Sequence, residues 1–109
     1  MNKNYLISDL ESNVQEEKEI NVYGIRLLNY LKKNRQAFCQ ELLMTDKLHH
    51  YLFSVGNEIE EKVTRLVSVL AETERVDEQL KIRDQLSWVN RMNAIKSQAE
   101  EIVFNELFY

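Results

Sequence analysis

The chain has no proline, two glycines (Gly24 and Gly56) and one cysteine, Cys39, among its 109 residues. So few turn-forming residues exclude a β-sandwich or an α/β fold, whose many connections draw on glycine, proline and asparagine. A lone cysteine excludes an intramolecular disulfide and points to a reducing, cytoplasmic setting. No run approaches the ~20 apolar residues that span a bilayer, and the polar N-terminus has no apolar core of a signal peptide, so no membrane partner is expected. Glycine-rich phosphate loops, nucleophile elbows and zinc-ligand spacings are missing as well. Neither a cofactor nor a metal is expected, and an enzyme is the weakest class of function.

What is present reads as one helical domain. The apolar share is 44%, and a chain of this length buries about two thirds of its unfolded surface, so it needs no staple to fold. Charge is unevenly spread. Asp9, Glu11, Glu16, Glu17 and Glu19 against Lys18 give that short segment a charge of −4, equal to the whole chain's. Arg26, Lys32, Lys33 and Arg35 follow with no acid among them. Blocks of this kind are usually solvated faces. An acidic chain is also a poor generic binder of nucleic acid, whose affinity comes mostly from phosphate neutralisation, so tight nucleic-acid binding is not expected.

Helical spacing sets the expected architecture, which is all-α. Residues 1–18 carry no clear period and read as an acidic arm, with a short turn started by Ser8 and Glu11 in capping-box spacing. Ile20, Tyr23, Leu27, Tyr30 and Leu31 predict a first helix at about 19–33; Asn34 interrupts it or caps the next, at about 35–44. That second helix ends near Thr45-Asp46, because Asp tolerates turn geometry. Leu48, Leu52, Val55, Ile59, Val63, Leu66 and Leu70 form a near-heptad seam and predict a third helix at about 46–75, with Leu66 in the core. Gly56 lies inside it at a cost of about 1 kcal/mol relative to Ala. Asp77 is a good N-cap for a last helix at about 77–107. Trp88, Met92, Ile95, Ala99, Ile102 and Tyr109 give that helix one apolar stripe; Ile82, Leu86, Val89, Val103 and Leu107 give it a second. The expectation is four helices, with the last two as a long antiparallel hairpin.

Single residues suggest little chemistry. Adjacent His49 and His50 point about 100° apart on a helix and cannot share a metal. No base or thiol signature accompanies Cys39, which reads as a buried structural thiol. Trp88 fits the core. Asn93 falls in the second apolar stripe, where a buried asparagine would fix register or bond a partner. Phe104 and Phe108 fall outside both stripes, beside Tyr109, and read as a contact surface, with burial under the first helix as the alternative.

The run Asp84-Gln85-Leu86-Ser87-Trp88-Val89-Asn90-Arg91-Met92-Asn93-Ala94-Ile95, with Ala99–Val103 and Glu106–Tyr109, resembles the TnpV family. These are small proteins encoded on transposons and other mobile elements of Firmicutes. Tyr23-Gly24, Tyr30-Leu31 and Leu42–Leu48 add to the likeness, which runs from about residue 5 to the end. The resemblance implies a mobile-element setting and no catalytic or ligand residues. Two departures stand out: Ile25-Arg26-Leu27-Leu28-Asn29 replaces an arginine-rich stretch, and Asp46 occupies the place of a glycine usual between the second and third helices.

Two classes of function follow. In the first, the protein is a non-enzymatic accessory that binds a protein partner: a CRISPR effector nuclease, as an anti-CRISPR inhibitor, or the element's recombinase. Its contacts would be the acidic arm (Asp9, Glu11, Glu16, Glu17, Glu19) with Trp88, Arg91, Asn93, Phe104, Phe108 and Tyr109, and a homodimer is compatible with them. In the second, it is a DNA-binding regulator or excision factor using Arg26, Lys32, Lys33 and Arg35, with Lys81, Arg83, Arg91 and Lys96 as a second basic group.

Overall fold

The computed structural model describes residues 18–108. The arm residues Asp9, Glu11, Glu16 and Glu17, the Ser8–Glu11 turn and Tyr109 lie outside the described residues. The described residues are helical almost throughout, in five helices rather than four: α1 Val22–Asn34, α2 Gln36–Met44, α3 Leu48–Thr73, α4 Glu78–Arg83 and α5 Gln85–Phe108. Packing divides the chain into two compact units, one ending at Glu58 and the other beginning at Ile59, and α3 runs through the boundary.

In the first unit, α1 begins where Asn21 caps it. The Asn21 Oδ1 accepts from the Gly24 N–H at 2.9 Å, satisfying one of the donors that every helix start leaves without a partner. The same side chain reaches α3, donating from Nδ2 to the Gly56 carbonyl at 3.1 Å and to Asn57 Oδ1 at 3.2 Å. Both glycines of the chain sit at this crossing. A Cβ on Gly56 would lie 2.6 Å from Asn21 Oδ1 and 2.9 Å from the Gly24 nitrogen, and one on Gly24 would lie 2.8 Å from the Leu52 carbonyl oxygen. The helix defect expected at Gly56 is therefore the condition for close approach of two backbones. Tyr23, Leu27, Leu31, Cys39 and Leu52 are buried in this unit, which gives the thiol the burial expected of it. Asn34 ends α1 and bonds back to the Tyr30 carbonyl. It does not cap α2, whose preceding residue Arg35 provides no side-chain bond.

The helix ends at Met44 and Thr73 share one device. Lys47 N–H reaches the Leu42 carbonyl at 2.8 Å and Asp46 N–H the Leu43 carbonyl at 3.2 Å; Val76 and Arg75 repeat this onto Ala71 and Glu72 at 2.8 and 3.2 Å. These are paired Schellman bonds, which place the residue after the cap in the left-handed region where glycine is preferred. Here the residues are Asp46 (φ 62°) and Arg75 (φ 59°).

In the second unit, Val76, Leu80 and Ile95 form a buried cluster covered by Val67, Leu70 and Ala71 of α3 and by Trp88 and Met92 of α5. The chain thus folds back on α3 as the hairpin expectation requires, with the break at Asp84 as the correction. Asp77 caps α4 as its sequence suggests, its Oδ1 accepting from Leu80 N–H at 3.0 Å. Asp84 then leaves helical geometry (φ −152°, ψ 85°). Its N–H closes α4 on the Leu80 carbonyl at 2.7 Å, while its carboxylate accepts from Ser87 N–H at 3.2 Å and Ser87 Oγ at 2.8 Å. One residue ends a helix and caps the next, which is how a run with unbroken apolar spacing divides.

Candidate functional site

The two apolar stripes are each divided between core and solvent. In the first, Ile95 and Ala99 are buried and Ile102 is exposed, while Trp88 and Met92 are half-buried against the core. In the second, Val103 is buried, whereas Ile82 is 83% exposed and Leu86 71%, with Val89 and Leu107 exposed too. Asn93 is exposed, which corrects the expectation of a buried register residue. Phe104 and Phe108 are half-buried rather than exposed, with ring centroids 5.3 Å apart and planes tilted by 40°. Leu66 is also half-buried, so the centre of the seam is Ile59 and Val63.

Two of the second basic group are engaged inside their own unit. The Arg91 guanidinium donates to the Glu74 carbonyl at 3.3 Å and stands 4.0 Å from its carboxylate. The Lys81 ammonium lies 4.7 Å from the centroid of the Trp88 ring, a cation–π contact that covers the outer side of the indole. Both Trp88 and Arg91 thus act first in local structure. Arg83 and Lys96 are exposed.

The first unit carries the other basic group. Arg26, Lys32, Lys33 and Arg35 are all exposed, on or just after α1, and no acid occurs between Glu19 and Glu41. Lys32 and Lys33 occupy the last turn of α1, where cations favour the helix dipole. Exposed Glu19 is the one arm acid among the described residues. Beside it, the Lys18 carbonyl accepts from the His49 ring at 2.6 Å, and the Lys18 ammonium stands 5.5 Å from the Phe53 ring centroid. His50 lies 3.4 Å from Ser54 Oγ. The two histidines therefore serve different neighbours. Phe38 meets Tyr51 edge to face at 5.4 Å, and burial pushes the Tyr51 phenol above its ordinary pKa, with Arg35 acting in the opposite sense.

Among the described residues no group of three or more His, Cys, Asp or Glu side chains is arranged to hold a metal. No helix among them is long and apolar enough to cross a membrane. What the geometry offers is surface: exposed aliphatic side chains around the Asp84 break and a run of cations on α1. The first escaped a reading by periodicity, because the second stripe looked like core. Asp84, three residues before Ser87, was the available signal of a cap.

The family model described as transposon-encoded protein TnpV matches residues 1–108. No curated protein and no solved structure matches the chain. The chain belongs to the TnpV family of transposon-encoded proteins.

Proposed function

From membership of that family, we propose that the protein is a non-catalytic accessory of its mobile element that works by binding a protein partner, its preferred target being a host defence nuclease of the CRISPR type. The observation that carries the protein-binding part is the exposure of Ile82 (83%) and Leu86 (71%) on either side of the helix break at Asp84. Leaving such side chains in water forgoes roughly 1.5–3 kcal/mol each, which a partner's apolar surface recovers. The preference for a defence nuclease rests on the mobile-element setting together with the acidic segment ending at Glu19, since clustered carboxylates suit a phosphate-binding groove.

Titrating the purified protein into a DNA-cleavage assay of a host CRISPR effector tests both parts. Inhibition near stoichiometry is expected, weakened at least tenfold by Ile82→Asp with Leu86→Asp while the melting temperature holds. Full cleavage at excess protein removes the nuclease target. The second reading, a DNA-binding regulator or excision factor, is favoured by one observation: the exposed, acid-free run Arg26, Lys32, Lys33 and Arg35. A submicromolar, steeply salt-dependent gel shift abolished by charge reversal at Lys32, Lys33 and Arg35 would establish it.

A further inference from the structure

The cations of the first unit gather beside an accessible ring. Lys32 and Lys33 stand in the last turn of α1, Arg35 is the single residue between α1 and α2, and Phe38 follows in the first turn of α2. All four are exposed. Phe38 meets Tyr51 edge to face at 5.4 Å. That contact fixes the plane of the ring, and the 39% of Phe38 still open to solvent is surface on which a flat group can lie. Burial raises the pKa of the half-buried Tyr51 phenol, Arg35 opposes that rise and Glu58 adds to it, so the guanidinium lies within electrostatic reach of the same aromatic pair. On α1 the cations bracket a further ring: half-buried Tyr30 follows Arg26 by four residues and precedes Lys33 by three, spacings that share one helix face.

We propose that this end of the first unit binds single-stranded nucleic acid, holding its phosphates on Lys32, Lys33 and Arg35 and stacking a base on Phe38. The inference rests on the second, nucleic-acid reading above and names the strand form that reading takes; it uses no residue of the Ile82–Leu86 surface. A duplex keeps its bases stacked on one another and offers such a site little besides phosphates, whose neutralisation supplies nearly all non-specific affinity. Three or four cations neutralise few of them. A single strand offers the same phosphates together with free base faces, and one base on an aromatic ring strengthens binding roughly 5- to 150-fold. Arg35 adds a cation–π attraction to the same base. The carboxylate of Glu58, felt at Tyr51, bounds the site on the α3 side, so the strand runs from Phe38 toward the α1 lysines.

The character of the binding follows from these contacts. Every base has a face that can stack, so the site is indifferent to sequence, and ribose and deoxyribose strands share the chemistry it reads. Ionic contacts are few. A single strand contributes a log–log salt slope of about −0.7 for each phosphate neutralised, so three cations give a slope of about −2.

Fluorescence anisotropy on the full chain tests the proposal, with labelled oligothymidylate and oligouridylate about 12 nucleotides long and a duplex of equal length. At low salt one or both single strands should bind at least tenfold more tightly than the duplex, and the tighter of the two identifies the sugar. Phe38→Leu keeps an apolar side chain against Tyr51. It should weaken single-strand binding at least fivefold while leaving duplex binding and the single-strand salt slope unchanged. Lys33→Ala should instead lower that slope by about 0.7. In the wild-type chain the Phe38 ring protons should move upfield in NMR spectra as the strand is added, a readout that needs no variant to fold. A duplex bound as tightly as either strand leaves the nucleic-acid reading standing and overturns this inference. Binding of neither form at low salt overturns both. Single-strand affinity that Phe38→Leu leaves unchanged, or Phe38 ring signals that stay in place as the strand binds, also overturns the inference.

Discussion

At the level of single residues, the two left-handed positions are the clearest places where the chain departs from its own best choice. Arg75 (φ 59°) holds a Schellman position at the end of α3, where an L side chain costs about 1–2 kcal/mol. Glycine relieves that cost and gives back part of it as unfolded-state entropy. Arg75→Gly should therefore raise stability by about 0.5–1 kcal/mol in urea unfolding. Asp46→Gly should gain less, because Asp tolerates the left-handed region better than Arg. An unchanged midpoint for both would show that these turns relax in solution. Asp84 adds a pH-dependent effect. Its carboxyl is held below the ordinary range first by the Ser87 hydroxyl and then by the Ser87 N–H, with Arg83 adding to them. A depressed folded-state pKa stabilises above the unfolded value and is lost as pH falls through the folded one. Acidification should loosen the α4–α5 junction, and Ser87→Ala should raise the Asp84 pKa, both read by carboxyl-resolved NMR titration.

Among the helices, α3 is the element on which most depends. Ile59 is fully buried, so Ile59→Ala should cost about 2–5 kcal/mol. Half-buried Leu66 should cost clearly less on the same truncation. Thermal melts of the two variants, ranked the other way, would place the core at the wrong end of the seam. The glycine crossing makes an opposite-sign prediction. In an isolated helix Gly56→Ala gains about 1 kcal/mol, yet the added Cβ would stand 2.9 Å from the Gly24 nitrogen and 2.6 Å from Asn21 Oδ1. Backbone cannot give way as a side chain can, and overpacking of this kind costs about 1–3 kcal/mol. Gly56→Ala should destabilise the protein, and hydrogen exchange should speed up first in α1. A higher melting temperature instead would mean that α1 shifts freely on α3.

For the whole molecule, the separation of charge along the chain matters more than its sum. The net charge is −4, while the stretch between Glu19 and Glu41 is purely basic. Repulsion from the total charge opposes approach to a duplex, and four cations neutralise few phosphates. Binding to duplex DNA should thus be weaker than micromolar at physiological salt and should rise as salt falls, with a log–log slope no steeper than about −4. Fluorescence anisotropy across salt concentrations reads both quantities. Removing Lys33 should lower the slope by about 1, and a slope near zero would remove α1 from any nucleic-acid role.

Much of this was legible in the sequence, and for a physical reason: helix class, cap chemistry and the missing motifs depend on neighbours a few residues apart. The seam from Leu48 to Leu70 and the cap at Asp77 are local facts of that kind. So is the tolerance of Asp46 for a turn. The break at Asp84 was local too, but the apolar spacing from Leu80 to Trp88 continues through it, and periodicity hides a cap that does not interrupt it. What only the tertiary structure decided is which surfaces are covered. Each apolar stripe has buried members (Ile95 and Ala99 in one, Val103 in the other) and exposed ones (Ile102, Leu86), and which of them are covered depends on where the neighbouring helices lie. The same holds for the two glycines. Each is a defect in its own helix, and their value appears only where the backbones of α1 and α3 come too close for a Cβ.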